Sequence, residues 1–79
     1  MILANSPDTL PETLGILSMD SDSVIRHLVA LNPSTPPEAL RELASDLLSQ
    51  VRDGVLYNPN VTEEIILLSK GIAFILKNK

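Results

Sequence analysis

Leu31-Asn32-Pro33-Ser34-Thr35-Pro36-Pro37-Glu38-Ala39-Leu40-Arg41-Glu42-Leu43-Ala44 carries a helix stop, a tight turn and a helix start. Asn32 precedes a proline, whose ring pushes the previous residue out of the α region, so a helix ends there. Thr35-Pro36-Pro37-Glu38 reads as a capping box. The Thr35 hydroxyl accepts from the Glu38 amide while the Glu38 carboxylate reaches back to the Thr35 amide. Pro36 then falls at the first helical position, where no amide hydrogen bond is lost. Leu40 and Leu43 are the first side chains of that helix aimed at a core.

The rest of the chain repeats this stretch. A shift of 26 positions lays Pro7 on Pro33, Thr9 on Thr35, Pro11 on Pro37 and Glu12 on Glu38 without a gap. Leu14 falls on Leu40, Leu17 on Leu43, Asp20 on Asp46, Ser23 on Ser49, Ile25 on Val51, Arg26 on Arg52 and Val29 on Val55. Asn32-Pro33 then lands on Asn58-Pro59 and opens a third copy. Self-similarity at a fixed period is the mark of a repeat architecture. Each complete unit reads as helix, polar turn, helix, Asn-Pro stop. First helices start after Thr9 and Thr35, and second helices start near Ser23 and Ser49 and run to Leu31 and Tyr57. The third copy is read as one residue shorter, with Asn60 as its helix cap and Glu63 completing the box. It lacks the Asp-x-x-Ser turn, so residues 60–77 form either one long helix or two pieces broken at Gly71. Gly54, where the first unit has Leu28, marks close approach of a neighbouring backbone. The expected core is Leu14, Leu17, Ile25, Val29, Leu40, Leu43, Val51, Val55, Ile65 and Leu68.

Seventy-nine residues without a cysteine make one domain, with no disulfide or thiolate-held metal to reinforce a marginal core. The chain is 44% hydrophobic but only 3% aromatic, which favours aliphatic helix packing. The fold expected is therefore all-α: a short right-handed α-solenoid of about two and a half helix pairs. Its repeats span about 3–28, 29–55 and 56–79 of a single domain.

Asn-Pro-x-Thr-Pro-Pro-Glu-x-Leu-x-x-Leu-Ala, followed by Asp and then Val-Arg, resembles the repeat of the leucine-rich repeat variant family. The resemblance covers residues 3 to about 69 and is best over 29–56. It implies a superhelix of alternating α and 3₁₀ helices, with the short first helices as the candidates for 3₁₀. One relative carries a cysteine-held iron–sulfur cluster ahead of its repeats; with no cysteine here, that cofactor does not carry over, and no cofactor is expected.

Net charge is −4, and all ten acids lie within residues 1–64. An acidic body argues against broad phosphate binding. Met1 to Asn5 lacks a basic segment and an apolar segment, so no secretory signal is read, and the expected location is cytoplasmic. The most apolar run, Ile65 to Leu76, falls short of the roughly 20 residues that a membrane span needs.

No residue pattern points to catalysis. Asp20-Ser21-Asp22 opens like a calcium loop, but Ile25 and Leu31 stand where glycine and a bidentate acid are required; helix capping explains it better. His27 has no second ligand, and no phosphate loop or nucleophile elbow is present. Asn32 and Asn58 suit an amide ladder that ties turns together. Arg26 and Arg52 suit pairing with the repeat acids Asp20 and Asp46 or with acids of the next unit. The chain is expected to be a non-catalytic protein-interaction module, not an enzyme. Its candidate partner-binding residues are Arg26, His27, Arg41, Arg52 and Asp53. The alternative, nucleic-acid binding through Arg26, Arg52 and the C-terminal lysines Lys70, Lys77 and Lys79, has a poor basic stripe.

The segment Ile65-Ile66-Leu67-Leu68 with Ile72-Ala73-Phe74-Ile75-Leu76 is apolar on nearly every face. A terminal repeat ordinarily carries a polar outer face. Self-association through Ile72, Phe74, Ile75 and Leu76 as a homodimer is the leading expectation. A buried cap, another partner and a membrane surface are the alternatives.

Overall fold

The computed structural model describes residues 3–78, and every regular element among them is helical. A single 3₁₀ turn, Leu3–Asn5, is followed by α1 (Pro11–Leu17), α2 (Ser23–Leu31), α3 (Pro37–Ala44), α4 (Ser49–Leu56) and α5 (Glu63–Lys77). Met1, Ile2 and Lys79, and with Lys79 one of the lysines of the nucleic-acid reading, lie outside the described residues.

Proline chemistry sets where the first helices begin. Pro11 and Pro37 occupy the first helical positions, and the residues before them, Leu10 and Pro36, are extended at ψ 144° and 157°. A residue preceding proline is kept out of the α region, so Pro36 cannot start the helix. This corrects the capping box. Thr35 lies outside α3, and its hydroxyl is buried and donates to the Val29 carbonyl at 2.6 Å, closing the end of the previous helix. The third copy is corrected in the same way. Thr62, not Asn60, caps α5, accepting from the Ile65 amide at 3.3 Å. Helix starts at 11, 37 and 63 keep the 26-residue register with no deletion.

The short first helices are α-helical, not 3₁₀. The Leu14 amide donates to Leu10 and the Leu40 amide to Pro36, four residues back in each case, and among the described residues the one 3₁₀ element is the opening turn. α5 is one continuous helix through Gly71.

The helices form two layers. α1, α3 and α5 pack in series in one; the opening turn, α2 and α4 pack in series in the other. Between them Leu14, Val29, Ala30, Leu40, Leu43, Ala44, Val51, Val55 and Ile65 form a continuous buried cluster. Leu17, Ile25 and Leu68 of the expected core are only partly buried against it. The end of a stack explains Ile25: its counterpart Val51 is covered by the whole of α2, whereas Ile25 has only the opening turn behind it. Gly54 meets α2 as expected. A Cβ there would stand 2.9 Å from the Ala30 Cβ and 3.5 Å from the His27 carbonyl oxygen.

Candidate interaction surfaces

The repeat-invariant polar residues hold the stack together. The Asn32 side-chain amide donates to the Ala4 and Ser6 carbonyls, each at 2.8 Å. Asn58, 26 residues on, donates to Ala30 and Asn32 at the same distance. Each amide oxygen accepts from the backbone two residues ahead, Ser34 or Asn60. Both side chains are buried, and three of the four bonds, all but the part-buried one to Ser6, are buried as well. Alongside, the Ser34 hydroxyl donates to the Pro7 carbonyl and the Asn60 amide to the Pro33 carbonyl. The asparagine ladder read from the sequence is thus present.

Arg26 belongs to the same scaffolding. Its Nε donates to Asp46 Oδ2 at 2.7 Å and its Nη1 to the Asp20 and Ser21 carbonyls at 2.8 and 3.0 Å. The hydrogen bond that Arg26 donates to Asp46, aided by nearby acids, holds the Arg26 pKa above its ordinary value, so the group stays charged throughout the working pH range. Arg52 repeats the carbonyl contact, Nη1 to Asp46 at 2.6 Å, yet has no carboxylate within ion-pair distance among the described residues. It is 8% exposed, so the expectation of an outward Arg52 is corrected. Arg41 is exposed and pairs with Glu64 across α3 and α5. Of the five expected partner residues, only His27 and Asp53 are left outside these cation contacts, and Asp53 lies exposed on α4.

His27 borders a groove between the N-terminal ends of α2 and α4, lined by Ser23, Val24, His27, Leu48, Gln50 and Val51. Its Nδ1 lies 2.9 Å from the Gln50 carbonyl oxygen. A carbonyl only accepts, so Nδ1 carries the proton and, in the neutral ring, Nε2 is left as an acceptor. Val24 and Leu48 line the groove and are exposed, and Leu47, next to Leu48 in the chain, is exposed too. Sequence reasoning missed these three, although the repeat held the signal. Leu47 and Leu48 stand where the first unit has Ser21 and Asp22. Asp22 caps α2 by accepting from the Val24 amide at 2.9 Å; Leu48 precedes α4 with no side-chain cap. The second unit has exchanged a capping carboxylate, ordinarily a contribution of about 1 kcal/mol, for an exposed leucine.

The four expected self-association residues divide between two faces of α5. Ile72 and Leu76 are half-buried, on the side that carries the buried Ile65 and Ser69. Phe74 and Ile75 point out, 68% and 60% exposed, together with Leu67 at 63%, which the sequence reading had not singled out. The buried-cap alternative therefore fails for that outer face. Gly71 lies among these residues, and nothing stands within 4 Å of where its Cβ would be.

Among the described residues, no cluster of three His, Cys, Asp or Glu side chains could hold a metal ion, and no helix is long and apolar enough to cross a membrane. No curated protein and no solved structure matches the chain. One known family does match part of it: residues 24–47, from the first turn of α2 to the turn before α4, fit the family model described as leucine rich repeat variant.

Proposed function

We propose that the chain is a non-catalytic protein-binding module that takes an apolar peptide segment in the groove between α2 and α4. The observation that carries this reading is Leu48. A leucine at a helix cap position weakens the helix start and leaves apolar surface beside Val24, Leu47 and the groove. Apolar recesses with a few convergent polar groups are the usual form of a recognition site. His27 Nε2 adds one acceptor for a donor on the bound segment. The nucleic-acid reading loses its stripe, because Arg26 and Arg52 are engaged in the repeat scaffold.

The test separates folding from binding. Leu48→Asp restores the cap of the first unit, so stability should hold or rise by up to about 1 kcal/mol, while binding is lost. A photo-crosslinking residue placed at Val24 identifies the segment held in the groove. That segment, made as a peptide, should bind the wild-type chain and not Leu48→Asp. Equal binding to both chains, or a salt-sensitive shift of nucleic acid at submicromolar protein, would replace this reading.

A further inference from the structure

We propose that the outer face of α5 pairs antiparallel with α5 of a second copy of this chain, the two helices crossing at Gly71. Residues 67, 71, 74 and 75 recur at helical spacing along one side of α5, and Leu67, Phe74 and Ile75 are each at least 60% exposed. Glycine within a helix is disfavoured relative to alanine, and at Gly71 nothing in the monomer makes use of the missing side chain. Close approach of a second backbone does use it.

Charge selects the occupant and its direction. Glu63, Lys70 and Lys77 fall seven residues apart, in a line along the flank of this stripe, and all three are exposed. Antiparallel pairing about Gly71 sets Leu67 level with Ile75 of the second copy and brings Glu63 beside its Lys77, twice by symmetry. Lys70 meets its own copy near the axis, the one like-charge contact of the arrangement. Parallel pairing would turn this line against the opposite flank of the second copy, so Glu63 and Lys77 would not meet. The self-complementary line favours a second copy over an unrelated partner. The apolar face is narrow, which places the dimer among weak, reversible interfaces.

Sedimentation at low ionic strength over a concentration series up to about 1 mM reads the association. The wild-type chain should dimerise reversibly. Gly71→Gln, whose side chain enters open space in the monomer, should keep the helical spectrum and weaken association about tenfold or more. Glu63→Lys and Lys77→Glu should each weaken it several-fold, the double reversal should recover it, and Lys70→Ala should tighten it. None of these residues lines the α2–α4 groove, so Leu48→Asp should leave dimerisation unchanged, and failure of either reading leaves the other standing. A chain monomeric throughout the series overturns the proposal. So do a Gly71→Gln variant that associates like the wild type and a double reversal that fails to recover. A monomer that binds anionic lipid vesicles would assign the stripe to a membrane surface instead.

Discussion

The junction between the first two helix pairs and the junction between the second pair and α5 are built from the same positions and end differently. At the first, Arg26 reaches forward to Asp46, Thr35 closes the end of α2, and Gly54 lets α4 settle against Ala30. At the second, the Arg52 guanidinium has only a backbone carbonyl, Val61 stands at the position of Thr35, and among the described residues no helix packs on α4 as α4 packs on α2. What survives intact is the asparagine rung, Asn58 matching Asn32 bond for bond. The rung is therefore what a unit needs in order to stack at all. The forward arginine–aspartate pair belongs to units that have a complete successor.

Substitutions along the two junctions sharpen this comparison. The largest effect is expected at the rung. Asn58→Ala removes two donors from buried carbonyls and should lower stability by about 3 kcal/mol in urea unfolding. Asn32→Ala, whose partner Ser6 is only part-buried, should cost about 2 kcal/mol. Equal, small losses would mean that the rung does not hold the stack. Two of the helical glycines, Gly54 and Gly71, should respond with opposite signs. Gly54→Ala forces a methyl against Ala30, and the overpacking should outweigh the gain in helix propensity, leaving a net loss of about 1 kcal/mol. Gly71→Ala enters open space and should stabilise the monomer by about 1 kcal/mol, read by thermal unfolding at low concentration. Arg52→Met keeps the buried stem and loses one hydrogen bond, a cost of about 1 kcal/mol. Asp46→Ala keeps the backbone carbonyl that Arg52 meets but strands the Arg26 guanidinium and the Leu48 amide, and should give the lower unfolding midpoint of the two. The smallest effect should be at Thr62→Ala, about 0.5 kcal/mol, because its cap bond is long and the residue is exposed.

Much of this was legible in the sequence because the repeat is gap-free. Pairing residues 26 apart located the helices, most of the core, the ladder and the tight glycine. The errors have a shared cause. Thr-Pro-Pro-Glu matches a capping box by residue type, but the rule that ends α2 before Pro33 also bars Pro36 from the helix before Pro37. Applied twice, that rule gives the observed start. Asn60 was misread because asparagine serves equally as a cap and as a rung donor, and only its distance from Pro33 separates the two. The outward turn of Leu67, Phe74 and Ile75 was not legible, since a segment apolar all round carries no periodicity to fix its rotation. The groove leucines could have been found by asking where the second unit departs from the first, at Leu47 and Leu48.

The rungs also have a direction. Asn32, Ser34, Asn58 and Asn60 all donate to carbonyls that precede them by 26 to 28 residues. A chain emerging from the ribosome therefore supplies the acceptors of every rung before its donor is made, so each new unit can zip onto a finished edge. The Arg26–Asp46 pair, like the His27–Gln50 and Arg41–Glu64 contacts, must wait for later chain. Assembly of this stack is vectorial by construction, and a graft at its C-terminal end needs to bring only its own asparagine.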